Sequence, residues 1–244
     1  MTPRKLLRKS VASLLKRFYI LTNGGYSIGK AYGARYLLDW RHSLDKKVAV
    51  ELYEHEQIHY LTSALDTIQP EMFIDIGAHT GLYSIILKKR YPQLDTHAFE
   101  PDRTNLCQLY ANLFVNRMTQ SITVHEFGLS DHAGQTNFDT SEATSSRGTR
   151  RISDAGNSTI EIQRLDDVLR ISGKIIAIKI DVEGHENQVI DGARAVLTSN
   201  KCFLQIESGA NGEGTLKQKM GNLGYRWIKT LGGHDHYFSN LPHR

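Results

Sequence analysis

Residues 73–84 read Phe73-Ile-Asp-Ile-Gly-Ala-His-Thr-Gly-Leu-Tyr-Ser84. A short apolar run carries Asp75 near its end, Gly77 and Gly81 then bracket a tight turn around His79, and a helix-compatible stretch follows at once. Glycine lets a backbone approach a ligand closely and adopt dihedrals closed to other residues, so this pair at a strand-to-helix turn marks a nucleotide cradle. Glu100 closes the next apolar run, 19 residues beyond Gly81. There a carboxylate can accept hydrogen bonds from both hydroxyls of a ribose. A dinucleotide-binding turn would read G-x-G-x-x-G and bring a helix N-terminus to a pyrophosphate. This turn is G-x-x-x-G, and an acid stands two residues before its first glycine. A carboxylate at that place repels a pyrophosphate but attracts the cationic methionine end of S-adenosylmethionine, through its ammonium group or a bridging water.

Outward from this turn, short apolar runs alternate with amphipathic stretches, as in βαβ units around a parallel sheet. The pattern predicts strands near Met72–Ile76, Thr96–Phe99, Thr123–Phe127, Ile175–Ile180 and Cys202–Ile206. It predicts helices over Gly81–Arg90, Asp102–Asn116, His185–Leu197 and Thr215–Leu223. Tyr225–Thr230 and His236–Ser239 read as a closing antiparallel hairpin. The fold class is therefore α/β, a mostly parallel sheet with helices on both faces. Ser130–Asn157 breaks the alternation, being rich in Ser, Thr, Gly and Asp, and is expected to form turns, a short hairpin or a loop at the rim where a substrate would enter.

Upstream of the sheet, residues 1–65 read as a basic, helical extension and residues 66–244 as the cofactor-binding domain. Helix is expected over Asp45–Asp66 and, more weakly, over Tyr26–Trp40. The first 50 residues hold eleven Lys/Arg against Asp39 and Asp45, a balance of +9, so that a chain with a net charge of +4 has a remainder near −5. A mildly acidic body argues against nucleic acid as partner. Leu7, Val11, Leu14, Leu15 and Phe18 recur at helical spacing among the basic residues. Residues 1–20 could lie on an anionic membrane surface or dock on a partner; packing on the chain's own domain with the charges in water is the favoured reading. No stretch reaches the roughly 18 apolar residues of a membrane span, and the N-terminus lacks the apolar block of a signal peptide. Cys107 and Cys202 lie far apart and read as ordinary core residues, which fits a reducing compartment. The expected location is cytoplasmic, with peripheral membrane contact as the variant.

The fourth predicted strand, Ile175-Ile-Ala-Ile-Lys-Ile180, runs straight into Asp181-Val-Glu-Gly-His-Glu186. Together with the Asp-Ile-Gly-Ala turn, Phe99-Glu-Pro101, Gly128-Leu-Ser-Asp131, Leu165-Asp-Asp167 and Gln205-Ile-Glu-Ser208, it resembles the FkbM family of methyltransferases over roughly residues 70–208. The resemblance implies a class I, Rossmann-like methyltransferase fold and methyl transfer to a hydroxyl on a sugar, glycolipid or secondary metabolite. By position it implies that Asp75, Gly77, His79 and Gly81 hold the methionine part, Glu100 the ribose, and Ser130 and Asp131 the adenine end. Asp181 would face both sulfonium and acceptor. His79 stands where the family usually has asparagine.

Asp181, Glu183 and His185 follow the end of a strand, where side chains reach into the crevice of an open α/β sheet and burial can tune a pKa for general-base work. Glu183 or His185 is the expected base and Asp181 a positioning group. Glu183 and Glu186 could equally serve the first turn of the following helix, and His185 could bond nearby backbone. A metal would need further carboxylates, such as Glu207, brought in by folding; His234-Asp-His236 reads as a hairpin tip, and no metal ligand is assigned. The alternatives from other classes are a non-catalytic cofactor-binding module and an NAD(P)-dependent oxidoreductase. The acceptor's identity and the oligomeric state are not encoded in any motif.

Overall fold

The computed structural model describes residues 3–140, 150–209 and 212–242. The basic amphipathic stretch forms helix α1 (Pro3–Thr22). Tyr26–Trp40, expected as weak helix, is instead a β-hairpin of β1 (Tyr26–Ala31) and β2 (Ala34–Asp39). Two local facts override helix there. Buried Ala34, Tyr36 and Leu38 alternate with more exposed neighbours at the period of a strand. The connecting Tyr32-Gly33 has φ of 47° and 76°, the doubly positive turn whose twist suits a two-residue hairpin. The expected helix over Asp45–Asp66 is present as two, α2 (Ser43–Ala49) and α3 (His55–Ile68).

Next come β3 (Met72–Ile76), α4 (Leu82–Arg90), β4 (Asp95–Phe99), α5 (Arg103–Val115) and β5 (Thr123–His125). Then β6 (Gly128–Leu129) precedes the polar segment, which itself supplies β7 (Gly134–Asp139) and β8 (Arg151–Ile152) as a short antiparallel pair, and β9 (Ser158–Gln163) follows it; the four form one sheet. Phe138 of the segment packs with Ile160 and Ile162 just beyond it, which gives this sheet a small core of its own. Residues 141–149 lie outside the described residues. The chain continues through α6 (Leu165–Val168), β10 (Ile175–Ile180), α7 (Glu186–Gly192), α8 (Arg194–Ser199), β11 (Lys201–Glu207), α9 (Glu213–Asn222), β12 (Arg226–Leu231) and β13 (Asp235–Ser239). The helix expected over His185–Leu197 is thus interrupted at Ala193. Cys107 is exposed on α5 rather than in the core, and Cys202 is buried.

The main sheet has the order β5-β4-β3-β10-β11-β13-β12. β3, β4, β5, β10 and β11 pair in parallel, and β13 inserts antiparallel between β11 and β12. This is the class I methyltransferase topology. Alternate strand residues serve two cores. Phe73, Ala177, Phe203 and Tyr237 pack with α3, α4, α5 and the β1–β2 hairpin; Ile74, Ile76, Ile178 and Leu204 pack with α7, α8 and α9. The chain leaves β3 toward β4 and β5 but returns to β10 on β3's other side, so β3 and β10 flank the switch point where ligands bind such sheets.

Candidate active site

At that switch point the backbones of β3 and β10 nearly touch. Gly77 has φ of 79°, and a Cβ added to it would meet the Asp181 carbonyl oxygen at 1.8 Å. Only glycine permits this approach. The Gly77 and Ala78 amides donate to the Phe99 carbonyl (3.0 and 2.9 Å), and the Asp181 amide donates to Ile76 (3.0 Å), which locks the ends of three strands together. A cleft of about 1280 Å³ opens above them. Gly77, His79, Glu100, Asp181, Glu183 and His185 all line it.

Glu100, 4% exposed, accepts from the amides of His79 and Asp102, both at 2.8 Å, and Asn105 Nδ2 reaches it at 3.4 Å. Burial pushes its carboxyl up to about 8, against the pull of those amides. Asn105 also lines the cleft, and its buried Oδ1 has no hydrogen-bond partner among the described residues. A buried acceptor without a donor is costly in a finished site, and the hydroxyls or amine of a nucleoside supply what it lacks. Close backbone approach, an acid and an unanswered acceptor together fit an adenosine-bearing cofactor.

Asp75 is placed differently from expectation. Together with Glu100 it was expected to face one cavity. Instead its carboxylate lies under α4, accepting from the Ser84 amide (3.1 Å) and hydroxyl (2.6 Å), and borders a small cavity of about 30 Å³ that shares Gly77, His79 and Asp181 with the cleft lining. The cause is strand parity: residue 75 shares the face of Phe73, toward α4, and stands beside Lys179 in register. Burial raises its pKa, and Lys179 opposes the rise. Gly81 (φ 79°) starts α4 and packs near Leu109, away from the cleft. Ser130 and Asp131 also sit off the cleft wall, which is formed there by Gly128 and Leu129 with Phe138, Ile152 and Ile160 of the small sheet. The Ser130 hydroxyl lies 2.9 Å from His185 Nε2 and 3.1 Å from Asp131 Oδ1, while Asp131 pairs with His132.

Around Asp181 the structure is richer in charge than the sequence suggested. Lys179, 3% exposed, forms a 2.7 Å ion pair with Asp181 and lies over the Tyr83 ring at 4.9 Å. Burial alone would lower its pKa, but Asp181, Glu54 and Asp75 push it above the ordinary lysine value. Carboxylate oxygens of Glu54, Asp181 and Glu207 fall within 4.8 Å of one another. Burial and then the Asp181 charge raise Glu207 above the ordinary range. Tyr83 donates to Glu54 at 2.6 Å. Glu183, in a left-handed conformation (φ 53°), is raised to about 7 by burial, Asp181 and Glu186. Burial lowers His185. Glu186 turns back to the Gly184 amide at 2.7 Å and so belongs to the start of α7.

Glu54, Lys179, Asn105 and Arg150 are cleft or near-cleft residues that the motifs did not single out. A lysine inside the apolar run Ile175–Ile180 was the available signal for Lys179. Nothing local distinguished Glu54. Arg150 binds both oxygens of Asp102, each at 2.8 Å, and brings the far end of the polar segment to the cleft wall. The lining also carries five basic side chains, Arg8, Lys9 and Lys16 of α1 with Lys46 and Lys47 of α2, together with Glu51, which Arg8 approaches to 4.0 Å, and Glu56.

The methyltransferase FkbM domain model matches residues 75–227. The chain belongs to the FkbM methyltransferase family. Its cofactor is S-adenosylmethionine, which leaves the oxidoreductase alternative without support. Among curated proteins the chain is similar to methyltransferase sdnD of Sordaria araneosa, 32% identical over 152 residues that cover 49% of this chain and 59% of the relative. It is also similar to hexuronic acid methyltransferase AglP of Haloferax volcanii, 27% identical over 147 residues covering 59% of each. The matched part thus spans 59% of the length of both relatives. The solved structure of a human methyltransferase 10 domain containing protein superposes with a TM-score of 0.50 at 13% identity, covering 95% of both chains, and so shares the fold.

Proposed function

We propose that this FkbM-family domain transfers a methyl group to a hydroxyl oxygen of a sugar, glycolipid or secondary metabolite. The observation that carries the reading is the meeting, in one cleft, of the Gly77 turn and Glu100 with a titratable acid, Glu183, tuned to about neutrality. S-adenosylmethionine supplies a methyl carbon already activated by its sulfonium. The residues of the chain must then align an acceptor oxygen with it and remove that oxygen's proton. Glu100 and Asn105 would hold the nucleoside part, and the backbone at Gly77 would lie against the methionine part. Asp181, fixed by Lys179, orients the acceptor. Glu183 accepts the proton; His185, engaged with the Ser130 hydroxyl, is the second choice. Five basic side chains in the same cleft lining as the acidic groups suit an acceptor that presents a neutral hydroxyl beside an anionic group. The name of the relative AglP, a hexuronic acid methyltransferase, fits such an acceptor.

Calorimetric titration with S-adenosylhomocysteine should give a loss of about 1–3 kcal/mol for Glu100→Ala, from the hydrogen bonds its buried carboxyl group no longer makes. Glu183→Gln should leave that binding intact and lower kcat by about 10²–10⁴-fold. In the unsubstituted enzyme, activity should fall as pH drops through about 7, where Glu183 takes up its proton. An acid limb below the ordinary imidazole value, abolished by His185→Asn, would transfer the role to His185. Tight binding of the cofactor product with no transfer to any member of an oligosaccharide and glycolipid panel would favour a non-catalytic module.

A further inference from the structure

Helix α1 has two apolar sides, and the body uses one. Ala12, Leu15 and Tyr19 pack inward, Tyr19 stacking on Trp40 with ring centroids 5.4 Å apart. On the other side Leu7, Val11, Leu14, Phe18 and Leu21 recur at intervals of three and four residues, and Leu7, Leu14 and Leu21 are 66%, 67% and 84% exposed. A continuous exposed stripe of this kind marks an interaction surface. Charge decides what fits it. Arg8, Lys9, Lys16 and Arg17 lie on the same helix, and no acidic residue precedes Asp39 in the sequence. Arg8 is turned to the body, where it donates to the Val50 and Glu51 carbonyls, but a second copy zipped along the stripe would set Arg17 of each copy at its flank with no carboxylate on the facing helix to pair with it. An anionic bilayer meets both needs, acyl chains receiving the stripe and headgroups the cations. The helix is not long and apolar enough to cross a membrane, so it would lie in the interfacial plane.

We propose that α1 docks this domain on the surface of an anionic phospholipid bilayer through Leu7, Val11, Leu14, Phe18 and Leu21. Lys9 and Lys16, on another flank of the helix, line the cleft. Docking therefore brings the basic part of the cleft lining close to the bilayer, where a lipid-borne acceptor would be met. The proposal stands on the helix alone and does not depend on the choice of base.

Sedimentation of the full chain with vesicles of phosphatidylcholine containing phosphatidylglycerol, and with vesicles of phosphatidylcholine alone, tests it. The chain should pellet with the anionic vesicles and scarcely with the neutral ones. Combined Leu14→Ser and Phe18→Ser should reduce the partition coefficient about tenfold or more, and Arg17→Glu about fivefold or more at low salt. Because these side chains are exposed, thermal melts should be unchanged, which separates lost docking from lost folding. Equal binding to both vesicle types, or binding insensitive to all three substitutions, overturns the proposal. So does sedimentation equilibrium that finds a dimer made monomeric by the Leu14/Phe18 variant, since the stripe would then be covered by a second copy.

Discussion

Lys179 is the residue on which the electrostatics of the cleft turn. It sits in the middle of a polar row that crosses an otherwise apolar sheet face, with Asp75 beside it on β3 and Gln205 beside it on β11. Its ammonium pairs with Asp181, attracts the charges of Asp75 and Glu54, and partly offsets their mutual repulsion. Removing one partner of a buried ion pair leaves the other charge uncompensated at a cost of about 3–5 kcal/mol. Lys179→Met, close in length but neutral, is therefore expected to lower stability by about that amount in denaturant titrations. It should also raise the pKa of Glu183, which Lys179 holds down, and move the acid limb of the activity profile to higher pH. A variant as stable as the parent, with an unmoved limb, would mean that water rather than Lys179 carries the compensation.

At the scale of elements, the parallel strands and their helices were legible because each announces itself within about ten residues, by an apolar run and the glycine or acid that ends it. The Gly77 turn, Glu100 and the Asp181–His185 segment were found for the same reason, and all reach the cleft. What stayed hidden depends on register and parity between distant segments. Asp75 was read as facing the ligand because it lies next to the turn, yet parity points it under α4. Glu54 joins Asp181 and Glu207 only because α3 starts at the mouth of the sheet. The β1–β2 hairpin was misread because its clearest signal is a two-residue turn rather than a periodic run. That turn makes a further expectation concrete. Gly33→Ala, at φ of 76° with open space around the new methyl group, should cost about 1 kcal/mol from backbone strain alone. The hairpin should nevertheless keep its register, and a melt lowered by about 2–4 °C would report the strain. A much larger loss would show that the turn, rather than the buried face of β2, holds the hairpin in place.

At the scale of the molecule, the sequence sets residues 1–65 apart by charge, whereas the structure joins most of them to the sheet by packing. Tyr36, Leu38 and Trp40 of the hairpin and Leu61 and Leu65 of α3 are each 2% exposed or less, in the same cluster as Phe73, Ile85 and Leu109. The Leu37 amide and the Leu37 carbonyl are further tied to α5 through Asn112 and Gln108. Burying a large apolar side chain contributes about 1.5–3 kcal/mol, so five such residues rival the whole net stability of about 5–15 kcal/mol expected of a domain. Removing residues 1–65 should therefore abolish cooperative thermal unfolding and expose surface that binds a hydrophobic dye. Removing residues 1–22 takes away α1 with the inward contacts of Ala12, Leu15 and Tyr19 and the hydrogen bonds from Arg8 to the Val50 and Glu51 carbonyls. That shorter truncation should keep a cooperative transition at a somewhat lower temperature. A cooperative melt near that of the full chain after loss of residues 1–65 would instead mean that the sheet and its remaining helices are sufficient alone, and that the hairpin and α3 are an appended cover over a core already closed.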